Sequence, residues 1–371
     1  MTHATGLPPL DTAGVQRMLD AATGDAVVGA LIRVDDREAG TWTATAGSAR
    51  AGSQVPVDPG GAFRIGSITK TFVATVVLQL VRDGAVGLDD PLQRHLPGAL
   101  PTGYPPIAVR DLLQNTSGVP NYLPEVLSSP EQIVADRTRV WTPEQLVALA
   151  TARPRCFEPG TALGYSNTNY VLLGMLIGQV TGNWWGAEVH RRITRPLGLT
   201  STSAPGDSLA LPQPHAHGYL TLTSNGEPEL VDITEASMSA ADAAGSMVSS
   251  ARDLNAFLGA LLGGELLPPA LLERMLEPSD LGLLLGGAGW GLGITALPLP
   301  EAAGNLTVHG TGGGIHGYAG LAFATRDAQR RVTLSFNTAD NDPTSQTQKL
   351  VGIAQGVFCG STTAPRPTGS N

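Results

Sequence analysis

Three short stretches of this 371-residue chain carry residue types whose spacing suits acyl-transfer chemistry. The sharpest is FRIGSITKTFVATVVLQLVRDG, in which Ser67 opens a strongly apolar helical pattern and Lys70 follows on the same helical face. A serine hydroxyl is a weak nucleophile at neutral pH and needs a neighbour to take its proton. A lysine can do so if burial or positive surroundings lower its pKa. Ser67 then reads as nucleophile and Lys70 as its base or proton relay, while the free amides at the helix start favour charge developing on a tetrahedral oxygen. The competing reading is a serine N-cap followed by a solvated lysine.

The second stretch is GTALGYSNTNYVLLGMLIG, where Tyr165-Ser166-Asn167 leads out of a glycine-containing loop into another apolar helix. Tyr165 could relay a proton to a leaving group, and Asn167 could donate an amide hydrogen bond to an acyl group or contact Lys70. An aromatic packing residue followed by a helix cap is the alternative. The third is VHGTGGGIHGYAGLAFATRD, a glycine cluster emptying into a strand. Gly310, Gly312, Gly313, Gly314 and Gly317 let the backbone approach a ligand closely, and an amide on that edge could serve as an oxyanion donor.

Such groups need rigid elements behind them. The segment from Leu10 to Ala22 reads as a short helix, and Val27 to Val34 and Thr41 to Ala46 read as neighbouring strands around an Asp35-Asp36-Arg37 turn. Leu321 to Thr325 and Arg331 to Asn337 are again strand-like, and Ser345 to Phe358 has helical periodicity. A sheet closed from both termini follows, with the middle of the chain as an insertion. That middle holds helical patterns at Ile68 to Arg82, Thr142 to Thr151, Asn169 to Val180, Trp185 to Ile193 and Ala251 to Gly263. The expected division is an α/β region from 1–75 and 285–371 and a mainly helical region from 76–284, with the site at their junction.

Composition narrows the function. Lys and Arg number 23 against 32 Asp and Glu, a net charge of −9, and no basic patch emerges by spacing; nucleic acid is not an expected partner. Hydrophobic residues at 42% supply a sizeable core, which argues against disorder. The opening MTHATGLPPLD lacks the pattern of a secretion signal, and no uninterrupted apolar run is long enough to span a bilayer, so a cytoplasmic location without membrane association is the expectation. Cys156 and Cys359 form neither a zinc spacing nor a disulfide framework, although one bridge is open to them. The tail STTAPRPTGSN reads as frayed.

Ser67-x-x-Lys70, Tyr165-Ser166-Asn167 and the glycine-rich strand together resemble the penicillin-recognising serine enzymes. The likeness is closest to the secreted Streptomyces D-alanyl-D-alanine carboxypeptidases and extends to class C β-lactamases and related esterases. It runs from IRVDD through FRIGSITK, LLQNTSGV, EPGTALGYSNTNYVLLGMLI, HAHGYLT, GSMVSSARDLNAFL and GWGLG to FCG. The resemblance implies a β-lactamase/transpeptidase-like fold of the α/β plus all-α kind, an antiparallel sheet flanked by helices with an inserted helical region. It also implies an acyl-enzyme cycle without metal or cofactor, in which Ser67 attacks a carbonyl and Lys70 and Tyr165 move protons. The implied oxyanion donors are the amides of Ser67 and Gly314, and Asn167 would hold the substrate amide.

Departures from the family pattern shape the expected activity. The Lys-Thr-Gly or His-Thr-Gly triplet of the family aligns with Thr311-Gly312-Gly313, so Thr311 stands where a charged or imidazole group is usual. His309 lies two residues earlier on the same strand face and could substitute across a bulge, and His316 is also nearby. The candidate substrate-binding set is therefore Asn167, Thr311, Gly313, Gly314 and His309. Thr295, Ala296 and Leu297 occupy positions where the carboxypeptidases carry carboxylate-binding arginines, and Ala240 replaces an aromatic wall. A wide pocket of low charge is expected. Cys359 matches the family's C-terminal cysteine, but its usual partner position falls near Gly304, leaving Cys156 as an unrelated candidate; a lost bridge agrees with a reducing compartment.

The leading expectation is a serine acyl hydrolase or transacylase for a neutral ester or amide, with water or an amine as acyl acceptor, in small-molecule (antibiotic) biosynthesis. A D-alanyl-D-alanine carboxypeptidase, a class C-like β-lactamase or esterase, and a catalytically retired binding protein are the alternatives. The oligomeric state is left open.

Overall fold

The structure is a computed structural model that describes residues 7–24, 26–224, 226–283, 287–300, 306–339 and 342–360. The predicted positions in the C-terminal tail, Gly304 and the boundary at 285 lie outside the described residues.

The alternating apolar pattern near the N-terminus forms β1 (Val27–Asp36), which turns into β2 (Gly40–Gly47). In the middle of the chain, β3 (Ala62–Arg64) pairs with β6 (Val248–Ser250), and β4 (Tyr219–Ser224) pairs with β5 (Glu227–Asp232). The C-terminal part supplies β7 (Gly289–Trp290), β8 (Thr295–Pro298), β9 (Thr307–Ile315), β10 (Tyr318–Thr325) and β11 (Arg330–Thr338). These last five join β1 and β2 in one antiparallel seven-stranded sheet of order β2-β1-β11-β10-β9-β8-β7. The N-terminal and C-terminal parts meet where β1 runs against β11, with Ile32 opposite Leu334 and Val34 opposite Val332.

Period-two alternation sends side chains to two faces. Ile32, Val34, Leu334 and Phe336 meet Val15 and Leu19 of the helix Thr12–Ala22 and Val357 and Phe358 of the helix Pro343–Cys359. Leu31, Ala322 and Ala324 face the other way, into a larger core shared with the helical part of the chain. At its centre is the helix Thr69–Arg82, buried along every residue from Thr69 to Leu80. The helix is fixed inside the protein, with Phe72 stacked on Phe257 at 3.8 Å.

The intervening chain is rich in helices and also carries β4, β5 and β6. Its helix Ala251–Leu262 lies between the sheet and the helix Thr69–Arg82. Leu254, Phe257, Leu258 and Leu261 form a buried stripe, and Asn255 accepts from Thr333 Oγ1 at 2.7 Å and donates to Asp35 Oδ2 at 2.8 Å. Contact between a helix and a sheet far away in sequence leaves no periodic signature of its own, so the helix reads as a member of its sequence neighbourhood.

A buried ion pair ties the two ends together. Arg330 Nε donates to Asp36 Oδ2 at 2.6 Å, and its Nη atoms donate to the carbonyls of Val357 and Pro8 at 2.9 and 3.0 Å. Removing one partner strands a buried charge, so Arg330→Ala is expected to lower unfolding free energy by about 3–5 kcal/mol in a denaturant titration.

Candidate active site

β3 ends three residues before Ser67, and the chain then makes a 3₁₀ turn, Gly66–Ile68, before entering the helix Thr69–Arg82. Gly66 has φ of +50°, and a Cβ there would stand 2.8 Å from the nitrogen of Gly314. Gly313 is confined from the other side: its Cβ would meet the carbonyl oxygen of Ile65 at 2.1 Å and the nitrogen of Ser67 at 2.8 Å. The glycine cluster is thus part of β9 itself, and it allows strand and serine turn to touch backbone to backbone. Beside this contact β9 loses its outer partner, because β8 pairs only with Thr307 to Gly310.

Ser67, Lys70, Tyr165 and Asn167 are brought together. Lys70 is wholly buried, and its Nζ lies 3.1 Å from Ser67 Oγ, 2.7 Å from Asn167 Oδ1 and 2.6 Å from the carbonyl oxygen of Ala244. Burial pushes its pKa well below the usual lysine value. Tyr165 Oη donates to Ser67 Oγ at 2.7 Å, and burial pushes that phenol up to about 12, against the effect of the bond to Ser67. The phenol is accordingly protonated at rest, and burial shifts the lysine toward its neutral amine. A neutral amine has two N–H groups and one lone pair. The carbonyls of Asn167 and Ala244 take the N–H groups, and the lone pair is left for the serine proton.

Motifs that the resemblance quoted without assigning a task prove to position these groups. Asn115, in LLQNTSGV, has φ of +58°, and its Oδ1 accepts from Ser166 N at 3.2 Å and Asn169 Nδ2 at 3.0 Å. Ser117 donates to Asn169 Oδ1 at 2.6 Å, so this loop clasps the start of the helix Asn167–Thr181. In GWGLG, Trp290 meets Tyr165 edge to face at 5.7 Å and donates to the carbonyl of Leu113 at 2.9 Å. The Ala244 carbonyl sits in the short helix Asp242–Gly245, whose first side chain accepts from Trp185 Nε1 at 2.9 Å. Burial pushes the Asp242 carboxyl up to about 6.

A cavity of about 200 Å³ opens at Ser67, Tyr165, Asn167 and Gly314. His309 and Thr311 do not line it. Pairing of β9 with β10 runs unbroken from Val308 opposite Thr325 to Ile315 opposite Tyr318, so the bulge that would carry His309 forward is absent. Gly314 lies five positions along the strand from His309, roughly 16 Å. Its ring is buried, with Nδ1 unpartnered among the described residues, and burial, reinforced by Arg326, lowers its pKa to about 4. Thr311 is also buried, donating to the Gly310 carbonyl at 2.7 Å and lying 3.4 Å from Thr71 Oγ1. His316, by contrast, lines the cavity, and burial lowers its pKa to about 4, keeping the ring neutral at ordinary pH.

The cavity also corrects the expectation of low charge. Thr295, Ala296 and Leu297 are buried in β8 away from it, while Arg137 and Arg139 line it from a different segment. Beside Ala240, Tyr122 and Trp141 supply aromatic surface, with Tyr122 Oη donating to the Ala240 carbonyl at 2.6 Å. The sequence offered one signal for this wall, the juxtaposition of Arg and Trp in DRTRVW, but gave it no place. Cys156 is exposed and Cys359 buried, and both are free. Among the described residues no cluster of His, Cys, Asp and Glu is arranged to hold a metal ion, and no helix is long and apolar enough to cross a membrane.

A serine turn packed against a glycine strand, with lysine and tyrosine converging on one hydroxyl, is the site architecture of the serine hydrolases that share a β-lactamase-type fold. The chain belongs to the Beta-lactamase family, whose description matches residues 15–354. A D-stereospecific amidohydrolase from a Streptomyces species superposes with a TM-score of 0.83 at 38% identity, covering 94% of this chain and 99% of that one. D-amino acid amidase from Ochrobactrum anthropi SV3, complexed with D-phenylalanine, gives a TM-score of 0.80 at 28% identity over 95% and 98%. Esterase EstB of Burkholderia gladioli is 28% identical over 89% of this chain and 92% of that protein. Penicillin-binding protein 4* of Bacillus subtilis is 26% identical over 82% of this chain, which spans 66% of that protein's length. The protein is a serine hydrolase of this β-lactamase-like family, and its fold is the β-lactamase/transpeptidase-like one.

Proposed function

We propose that the protein cleaves a neutral amide or ester of a D-configured amino acid or related small acyl group through an acyl-enzyme on Ser67. The observation that carries this reading is the fully buried Lys70 amine, 3.1 Å from Ser67 Oγ, with Tyr165 Oη at 2.7 Å on the same oxygen. Ser67 Oγ attacks the carbonyl carbon while its proton passes to the Lys70 lone pair. The carbonyl oxygen becomes an oxyanion between the amides of Ser67 and Gly314. When the tetrahedral carbon collapses, the bond to the leaving nitrogen or oxygen breaks and Tyr165 gives that atom its proton. The Lys70 ammonium then returns its proton to the Tyr165 phenolate, which regenerates the neutral amine and phenol for the second half of the cycle. Deacylation repeats the sequence with water as nucleophile, and an amine in its place gives transacylation, the step a small-molecule biosynthetic role would use. Asn167 holds Lys70 through its carbonyl, and its amide, which donates one N–H to Asn121 Oδ1 at 3.4 Å, has the other for the acyl group.

The D-preference draws on the similar D-stereospecific amidohydrolase and D-amino acid amidase, and ester cleavage on the similar esterase. The test measures release of ammonia from D- and L-phenylalanine amide and of methanol from the matching methyl esters, with and without an added amine. Turnover of the D-series at least about tenfold over the L-series is expected, with none in Ser67→Ala. Full turnover in Ser67→Ala, or no turnover and no mass adduct on Ser67 with any of these compounds, would overturn the reading.

A further inference from the structure

Beyond the reacting groups, the cavity wall combines apolar residues, among them Leu123, Val126, Leu127 and Met238, with a charged segment that contributes Asp136, Arg137 and Arg139. The Arg139 guanidinium lies 3.7 Å from the centre of the Trp141 ring and 3.6 Å from Asp136 Oδ2, so its charge already has two partners. Arg137 has no carboxylate within ion-pair distance among the described residues. Its one hydrogen bond runs from Nη1 to the carbonyl of Val134 at 3.0 Å, which leaves most of the guanidinium fork unused. On a chain of net charge −9, an arginine without an ion-pair partner among the described residues, in the wall of a largely apolar cavity, is a local reversal of sign.

The segment is also held in place. Ser237 N donates to the Arg137 carbonyl at 2.6 Å, Trp141 N donates to Ser239 Oγ at 2.9 Å, and Ser239 Oγ donates to the Arg139 carbonyl at 3.3 Å. These three bonds join the arginine segment to the facing wall of the cavity, so its backbone is set before a ligand arrives.

We infer that this cavity is a subsite for a substrate portion with an apolar body ending in a carboxylate, which Arg137 binds through the free edge of its guanidinium. The inference rests on the Ser67 hydrolase reading and specifies its substrate. The scissile group remains a neutral amide or ester, and the anionic group sits at the far end of the portion seated in the cavity. An aliphatic or aromatic body suits the apolar walls, and a planar carboxylate suits the bidentate fork.

Two substrate pairs test it. The 4-nitrophenyl monoester of adipic acid against 4-nitrophenyl hexanoate places the carboxylate on the acyl side; 4-acetoxybenzoate against 4-acetoxybenzamide places it on the leaving group. The readout is the ratio of kcat/KM, anionic over neutral, in wild type and Arg137→Gln. In one of the pairs the ratio is expected to fall about fivefold in the variant, and this difference is expected to shrink in 1 M salt. Arg252→Gln, on the exposed side of the helix Ala251–Leu262, is the charge-matched control and leaves the ratio as in wild type. An unchanged ratio in Arg137→Gln for both pairs overturns the subsite.

A second measurement does not need turnover: quenching of tryptophan fluorescence in Ser67→Ala by the monoamide of adipic acid, repeated with Arg137→Gln added. If wild type turns over neither ester pair nor the phenylalanine amides and esters, with no adduct on Ser67, while the quench still depends on Arg137, the hydrolase reading fails and the subsite stands. If the esters are cleaved with no dependence on Arg137, and the quench shows none either, the subsite fails and the hydrolase reading stands.

Discussion

Lys70→Met is expected to lower kcat/KM toward any accepted ester or amide by roughly 10⁴-fold while leaving a folded protein. The size follows from what the amine does alone. The neighbouring phenol is protonated, since burial holds Tyr165 at about 12, so no second base stands beside Ser67 Oγ. Methionine fills the same buried space without a lone pair able to take the serine proton. The wild-type pH profile carries the complementary signature. As the proposed base, Lys70 acts through its neutral amine, so activity is expected above its lowered pKa and is expected to be lost as pH falls through that value. Stability has the same sign. Between the lowered pKa of the fold and the ordinary lysine value of the unfolded chain, the unfolded state binds more protons, so stability falls as pH drops through that window. Lys70→Met removes this contribution to the pH dependence. Stopped-flow acylation with a chromogenic ester and a parallel series of denaturant melts measure both. Wild-type-like acylation by Lys70→Met would assign the base elsewhere.

Gly313→Ala is expected to lower kcat by about 10²–10³-fold, although it adds one methyl group. No position for that methyl is free: it would lie 2.1 Å from the Ile65 carbonyl oxygen and 2.8 Å from Ser67 N, both backbone atoms of the serine turn. Either β9 or the turn must withdraw, and the proposed oxyanion donors at Ser67 and Gly314 separate with it. Gly314→Ala is the informative neighbour. A Cβ at Gly314 meets nothing within 4 Å, so the strand keeps its place and the added methyl only narrows the cavity. A change mainly in KM is expected there, against a fall in kcat for Gly313→Ala. Equal behaviour of the two variants in steady-state kinetics would show that the close approach of β9 to Ser67 is not what sets the reaction geometry.

Much of the site was legible where chemistry depends on local spacing. Ser67 and Lys70 are three residues apart, and the apolar run behind them reads directly as a buried helix. Tyr165-Ser166-Asn167 likewise stands at the entry to an apolar helix, although its meeting with Ser67 across 98 positions is a matter of packing. The contributions of Asn115 and Trp290 were not legible at all. Their motifs could be matched by likeness, but a left-handed asparagine clasping a distant loop and an indole edge steadying a phenol depend on which surfaces meet. The same holds for the helix Ala251–Leu262, whose apolar stripe is plain in the sequence and whose partner, the sheet, is not.

Period and composition determined that this chain would build a buried nucleophile helix, a sheet closed by its two ends, and a glycine strand able to approach a ligand. Those are properties of neighbouring residues, set by sterics and by the 2.0 and 3.6 repeats of strand and helix. Tertiary structure decided the rest: that β9 keeps an unbroken register and leaves His309 far along the strand, that Gly313 faces the serine turn and Gly314 the cavity, and that Arg137 and Trp141 form a wall. Each of these depends on contacts between distant segments, where a shift of one residue in register exchanges the two faces of a strand.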